Sequence, residues 1–340
     1  MTAAPPPLPE IPEGKAGWPW LSAVHTPILP DNDALPRVTV VTPSFNQADY
    51  LEETLRSVLL QGYPNLQLIV VDGGSTDHSV EVIKRYEPHL AWWVSEKDGG
   101  QGDALNKGFS HSTGDLHAYL NSDDLLQPGA VWSAVEQYRA GHPWIVGQVN
   151  YLDTQGPLGA VPQEPDARWT RWFLSCPISQ PGCFWSAKDH EAIGAFDTSL
   201  NYFMDYDFWM RLRFVRGLKP HFVNQPYSLY RLHEESKTVA GLEGFAEEGR
   251  AVRDRYRGTL GAPGRARVWC AIRDRQARNR GAKGLSQLSK GKIGEGLSGV
   301  LRGIATWPPA LITTVLDNLS TPVLPTEAGP PPINWPDWDP

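Results

Sequence analysis

Residues Val38 to Asp72 read VTVVTPSFNQADYLEETLRSVLLQGYPNLQLIVVD. The run from Val38 to Pro43 is short, apolar and rich in β-branched residues, as expected of a strand buried on both faces. From Tyr50 to Leu60, Leu51, Leu55, Val58 and Leu59 recur at helical spacing. Leu66 to Asp72 is a second apolar run. Strand, helix and strand in this order make a parallel βαβ step. Working outward, Ser75 or Thr76 is placed to cap a helix running to about Tyr86. Leu90 to Ser95 reads as a strand, Gln101 to Phe109 as a helix, and Asp115 to Leu120 as another strand. The alternation predicts an α/β fold with a mainly parallel, twisted central sheet.

After Gly129 come a helix and a strand from Trp144 to Leu152, then a stretch rich in Trp and Pro. A helix over about Asp205 to Arg216 and short strands near His221 to Val223 and Ser228 to Arg231 follow. Residues 1–35 are Pro-rich without periodicity and are expected to form an irregular arm. Residues 36–240 are expected to form one catalytic domain, its halves covering about 36–128 and 129–240. Residues 241–309 read as a basic helical extension and 310–340 as a Pro- and Trp-rich tail.

Of the 340 residues, 41% are hydrophobic and 20% charged, an ordinary soluble balance. Cys176, Cys183 and Cys270 form no CxxC pair, which argues against a zinc knuckle or a disulfide framework and fits a reducing cytoplasm. The opening MTAAPPPLPE lacks a signal-peptide pattern, and no run reaches the ~18 apolar residues of a membrane span. The expected location is therefore cytoplasmic.

Charge is unevenly spread. Between Arg250 and Arg302 fourteen Arg and Lys stand against three acids, a surplus of eleven that leaves −18 for the rest of a chain whose net charge is −7. Ile293, Leu297, Val300, Leu301 and Ile304 recur at helical spacing near Lys290, Lys292 and Arg302. Two readings of 250–306 follow: a peripheral contact on the inner face of the plasma membrane, or helices that pack and leave a solvated basic face. Nucleic acid is not expected, because no aromatic stacking platform accompanies the charge.

In open α/β sheets ligands bind beyond the carboxyl ends of the strands. That rule gathers four loops, Thr42 to Gln47, Val71 to Asp77, Glu96 to Gly108 and Asn121 to Asp124. They carry Asn46, Asp72, Asp98, Asp103, Asp123 and Asp124. Acids so crowded repel one another unless a cation or a donor-rich ligand compensates them, and hard oxygen ligands favour Mg²⁺ or Mn²⁺. A dinucleotide fingerprint would need glycines between the first strand and helix, where TPSFNQADY has none. The GEGLSG at Gly294 to Gly299 follows no strand, and no GxxxxGK[ST] loop occurs.

The stretch from Val38 to Ile83, then SEKDGGQGDALNKGF (Ser95 to Phe109) and LNSDD (Leu120 to Asp124), resembles the family 2 inverting glycosyltransferases of GT-A fold, from about Arg37 to His233. The resemblance implies a GT-A-like nucleotide-sugar-binding fold with a C-terminal helical extension. It also implies a UDP-, GDP- or dTDP-linked donor and a divalent metal, Mn²⁺ or Mg²⁺, on the diphosphate. An acceptor hydroxyl, on a glycan or a lipid-linked molecule of bacterial-type surface polysaccharide or glycoconjugate synthesis, would displace the nucleotide directly. Pro43, Ser44 and Asn46 match the loop that contacts the nucleotide, Asp72 the acid at the base edge, and Asp103 and Lys107 a stretch lining the donor pocket. Gly73 stands where the family commonly has a second Asp.

Asn121, Ser122 and Asp123 match the family's DxD element, with Asn in the first position and Asp123 as metal ligand; Asp124 would hold a bridging water or restore the lost charge. YFMDYDFWMRL (Tyr202 to Leu212) resembles the acceptor-site motif and makes Asp205 the expected base, with Met204 where Glu is frequent. Asp207 is expected to cap or to pair with Arg211. In YRLHEES (Tyr230 to Ser236), His233 would complete the metal sphere or touch the diphosphate, and Arg231 would neutralise phosphate. Gln180 and Trp185 stand open between the acceptor border and the core. Each motif also has a plain alternative: acids capping a turn before Pro128, acids favouring a helix N-terminus, a structural His. Two rival functions are a degenerate nucleotide-sugar binder that no longer transfers, and a nucleotidyltransferase, which would want a basic glycine-rich loop that is missing here.

Overall fold

The computed structural model describes residues 6–20, 35–153, 156–161, 169–233, 236–237, 242–290 and 292–306. The expected tail over 310–340 and positions 1–5 and 21–34 of the expected arm lie outside them. The chain divides into two compact units, Met1–Pro165 with Ile178–Glu248 and Asp166–Pro177 with Gly249–Pro340.

In the first unit β1 (Val38–Ser44), α1 (Ala48–Leu59), β2 (Leu66–Asp72), α2 (Ser79–Tyr86), β3 (Trp92–Ser95), α3 (Gln101–Ser110) and β4 (Leu116–Tyr119) alternate as the apolar runs predict. Then come β5 (Leu125–Leu126), α4 (Ala130–Arg139), β6 (Trp144–Asp153), β7 (Gly156–Val161), β8 (Cys183–Ser186), α5 (Ala187–Ile193), α6 (Met204–Met210) and β9 (His221–Arg231). All strands join one sheet in the order β3-β2-β1-β4-β8-β6-β9-β5, with β7 on β6. The first four are parallel. β8 runs antiparallel to both neighbours, while β6 and β9 are parallel. The fold is thus α/β with a parallel nucleus and a mixed flank, in keeping with the expected GT-A-like architecture. Burial explains the parallel part, since every residue of β1 is buried. A Cβ on Gly108 of α3 would lie 2.4 Å from Val41 Cγ1, so only glycine lets that helix approach β1 so closely.

Three local expectations change. The helix expected to start from Ser75 or Thr76 starts at Ser79, with His78 in the N-cap position and no side chain capping it; Asp77, one residue earlier, reaches the first amide of the helix, and its Oδ1 accepts from Ser79 N at 2.9 Å. Its Oδ2 accepts from the Ala48 amide of α1, also at 2.9 Å, so one carboxylate serves the N-termini of two helices. The helix expected over Asp205 to Arg216 begins at Met204 and turns π-helical over Arg211–Val215. The two short strands near His221 and Ser228 are a single strand, β9, whose register against β6 shifts on either side of Gln148.

The second unit is helical. α7 (Leu242–Thr259) leads into it, and α8 (Ala262–Ser289) and α9 (Ile293–Thr306) pack together. A Cβ on Gly284 would lie 2.5 Å from Val300 N, so these two helices meet backbone to backbone. Ile293, Leu297 and Leu301 of α9 are 66%, 51% and 62% exposed. The side chain of Ile304 lies outside the described residues. Among the described residues no helix is long and apolar enough to cross a membrane.

Asp77→Ala should lower the unfolding free energy by about 1–2 kcal/mol in urea titrations, because it leaves the first amides of two helices without their side-chain acceptor. Thr76→Ala should change it by less than about 0.5 kcal/mol.

Candidate active site

The carboxyl ends of β1 and β2 hold the first group of expected residues. Pro43 and Ser44 close β1, and Ser44 Oγ is buried with no hydrogen-bond partner among the described residues. Asn46 adopts φ 52°, in the left-handed region that Asn tolerates. Its Oδ1 accepts from the Thr76 amide (2.9 Å) and its own amide donates to Ser75 Oγ (2.7 Å), which ties the two loops together. Asp72 is fully buried. Its carboxylate accepts from the amides of Gly74 (3.2 Å) and Ser75 (2.9 Å) and from the hydroxyls of Ser75 and Ser95. A Cβ on Gly73 would lie 3.0 Å from Asp98 Oδ2, so the Asp98 carboxyl fills the space beside this glycine. Asp103 accepts from the Gly99 amide (3.0 Å) and Lys107 pairs with Glu96 (2.7 Å), contacts that stay within their own loop and helix.

The NSDD segment folds around three neighbours. Thr54 Oγ1 of α1 lies 2.8 Å from Ser122 O and 2.7 Å from Asp124 O, and donates to one of them at a time. Asn121 Oδ1 accepts from Gln101 Nε2 at 2.6 Å. Ser122 is buried. Asp124 points inward and is 1% exposed; its Oδ1 accepts from the Arg231 amide at 3.0 Å. Burial and the Asp123 charge push the Asp124 pKa well up, against the Arg231 amide and charge. Asp123 turns the other way, and its Oδ2 meets His233 Nε2 at 3.0 Å. One carboxylate oxygen and one imidazole nitrogen therefore converge. No cluster of three His, Cys, Asp or Glu suited to a metal occurs among the described residues. Such a pair fits Mn²⁺ or Mg²⁺ whose other positions are filled by water and substrate oxygens, the usual habit of these ions.

Asp205 sits in the first turn of α6. Burial raises its pKa to about 6, opposed by a hydrogen bond from the Tyr206 amide and by the Lys237 charge. Lys237 Nζ donates to Gln101 Oε1 (3.0 Å) and Asn201 O (3.1 Å). Desolvation lowers the Lys237 pKa against the pull of Glu248, Asp205 and Asp123, so this ammonium lies in the field of both the expected base and the expected metal ligand. Asp207 pairs with Arg211 at 2.9 Å, the i, i+4 partner expected for it. Trp185 is fully buried against Trp209 and Phe208, and Gln180 donates to Tyr119 O (2.8 Å).

Several residues here escape the sequence. The Tyr50 ring lies tilted against His233 (centroids 4.9 Å, planes 31° apart) and under the Arg231 guanidinium (5.2 Å). Gln101 and Lys237 bridge Asn121 to Asn201. Glu248 accepts from the amides of Asn201 (2.8 Å), Tyr202 (2.7 Å) and Phe203 (3.0 Å), so one carboxylate fixes the chain that enters α6. Only Tyr50 and Thr54, four residues apart on α1, left a legible signal, as a polar stripe beside the apolar one.

Residues 39–217 match the model of Glycosyl transferase family 2. An uncharacterized glycosyltransferase of Mycobacterium tuberculosis is 34% identical over 188 residues, 53% of this chain and 70% of that protein. TuaG of Bacillus subtilis, described as a putative teichuronic acid biosynthesis glycosyltransferase, is 38% identical over 94 residues, 26% of this chain and 36% of TuaG. Among solved structures, S. aureus TarS shares the fold at a TM-score of 0.54 and 18% identity, over 83% of this chain and 53% of TarS. Its 1–349 piece in complex with UDP-GlcNAc aligns at 0.52 and 15% identity, over 78% of this chain and 90% of that one. Mannosyltransferase PcManGT from Pyrobaculum calidifontis, in complex with GDP-Man and Mn²⁺, aligns at 0.50 and 16% identity, over 86% and 90% of the two chains.

Carboxyl NMR should find Asp205 titrating near pH 6. Lys237→Met should move that midpoint upward, because the change removes a cation that favours the ionised carboxylate.

Proposed function

The chain belongs to glycosyl transferase family 2 and is a glycosyltransferase, and on that premise we propose that it moves a sugar from a nucleotide-sugar donor to an acceptor hydroxyl with inversion. The observation that carries this is the meeting of Asp123 and His233, 3.0 Å apart, with Lys237 sensing both Asp123 and Asp205. Asp205 takes the proton of the acceptor hydroxyl as that oxygen attacks the anomeric carbon, and the nucleoside diphosphate leaves from the opposite face. A pKa near 6 leaves this base ionised at neutral pH while keeping it basic enough to accept a proton. Asp123 and His233 would hold Mn²⁺ or Mg²⁺, which when bound neutralises charge on the diphosphate. Arg231, with Nη1 buried and lacking a hydrogen-bond partner among the described residues, offers a donor to a phosphate oxygen.

Pro43, Ser44, Asn46, Asp72, Asp103, Lys107, Asn121 and Ser122 would form or support the donor side. Asp72 does so by ordering its loop, since its own oxygens are already occupied. That proteins sharing the fold hold UDP-GlcNAc, or GDP-Man with Mn²⁺, supports a nucleotide-sugar and a divalent cation, and leaves UDP, GDP and dTDP as candidates. The similarity to TuaG supports an acceptor in surface polysaccharide synthesis, a glycan or lipid-linked chain.

The same function would place the enzyme at the inner face of the plasma membrane through 250–306. The exposed stripe of Ile293, Leu297 and Leu301 lies in a segment with a surplus of eleven positive charges, which suits an anionic lipid surface.

Turnover should vanish in excess EDTA and return with Mn²⁺ or Mg²⁺, and Asp123→Ala should abolish it. Asp205→Asn should keep donor binding yet lose transfer by ~10²-fold or more, and wild-type kcat/KM should fall as pH drops through about 6, where the base protonates. An active Asp205→Asn beside a dead Asp207→Asn would show the base to be misassigned; donor binding without transfer would favour the degenerate binder.

Vesicle sedimentation tests the membrane contact. Anionic but not neutral vesicles should bind the protein, salt should weaken binding, and Leu297→Glu with Leu301→Glu should remove it.

A further inference from the structure

The Pro-rich segment before β1 lies outside the matched family region and has no helix or strand over residues 6–20, yet it is firmly attached to α1. The Arg56 guanidinium, on a residue 2% exposed, donates from Nε to Pro19 O and from Nη1 to Pro9 O, both at 3.1 Å, and lies over the Trp20 ring (5.0 Å). Trp18 Nε1 donates to Leu126 O at 2.8 Å, just beyond the NSDD segment.

One turn earlier on α1, Glu53 divides its two oxygens. Oε1 accepts from Lys15 Nζ (3.0 Å) and Trp20 Nε1 (3.1 Å), both from the segment before β1. Oε2 accepts from Arg231 Nη2. The Arg231 and Glu53 side chains are 11% and 17% exposed, so water screens this pair poorly. Burial opposes the charge on Glu53, but the Lys15 hydrogen bond, the Arg231 charge and Trp20 together hold its pKa below the ordinary value. Arg231 in turn holds Asp124 through its amide and rests on Tyr50, whose ring lies tilted against His233, the partner of Asp123.

We infer that Glu53 is a positioning residue through which the N-terminal segment fixes the Arg231 guanidinium beside the donor diphosphate, leaving Nη1 free to meet a phosphate oxygen. The inference rests on the donor site proposed above. Lys15 and Trp20 hold Oε1, so Oε2 can face only one way, and the direction of the guanidinium follows. Without them Glu53 would still attract Arg231 but would no longer set its angle. The N-terminal segment is then part of the machinery that grips the donor.

The test uses the full chain with UDP, GDP and dTDP in the presence of Mn²⁺ as calorimetric probes, and donor turnover as a second readout. Glu53→Gln keeps an acceptor for Lys15 and Trp20 but drops the charge facing Arg231. Trp20→Phe removes only the indole donor and keeps an aromatic ring against Arg56. Each should weaken nucleoside diphosphate binding about fivefold or more, raise the donor KM similarly, and leave the pH midpoint set by Asp205 unmoved. In an Arg231→Lys background both effects should shrink to less than about twofold, because partners in one network are not additive. Thermal melts identify a variant that fails to fold, and Trp20→Phe then decides the matter alone. Equal binding and KM in wild type and variants, or effects that persist in full without Arg231, would overturn the positioning role while leaving the donor site intact. No binding of any of the three probes by the wild type would instead overturn the donor site, and this inference with it.

Discussion

Carboxylates gathered at one edge of a sheet repel one another through a rim that screens them weakly. How each is compensated explains the shape of the loops. Asp72 takes amides and hydroxyls from its own turn and from Ser95; Asp77 takes the first amides of two helices. Asp98 accepts from the Gly100 amide, Asp103 from the Gly99 amide and Asp124 from the Arg231 amide. The crowding of acids visible in the sequence is therefore not one large cation site. Loop amides meet most of the charge locally, and Asp123, facing an imidazole, is the carboxylate proposed to meet a ligand.

What could be read from the sequence tracks how local each cause is. β1, β2 and α1 were legible because burial on a known face dictates an apolar period that a short window contains. Ser75 and Thr76 cap no helix, since the Ser75 hydroxyl is engaged with Asp72 and the Thr76 amide with Asn46, and it is Asp77 whose carboxylate reaches the first amide of α2. β8 was invisible as a strand: four residues between 3₁₀ turn and helix carry little pattern, and their pairing with β4 and β6 spans long separations. In the site, the motif residues stood out through resemblance. Gln101, Lys237 and Glu248 did not, since what makes them matter is a partner twenty to well over a hundred positions away.

The matched family region stops at residue 217, but the site does not. Arg231, His233 and Lys237 come from β9 and the chain just after it, Glu248 from α7, and Lys15 and Trp20 from before β1. The shared core supplies a platform with carboxylates at its edge, and in the proposed site this chain's flanking segments would set the angles at which that edge is used. Glu248 does for the entry to α6 what Glu53 does for Arg231: one carboxylate takes several donors and removes their freedom to turn.

The stitch between Asn46 and the Ser75–Thr76 turn, reinforced by Asp77 between α1 and α2, has a thermodynamic reach beyond the loops it joins. Two independent loops would each surrender conformational entropy when a ligand ordered them, roughly 1–2 kcal/mol for every residue fixed. Joined in this way, they surrender it during folding, when packing of the strands beneath can offset the loss. A ligand arriving at this edge meets a surface already set, and more of its contact energy is left over for affinity.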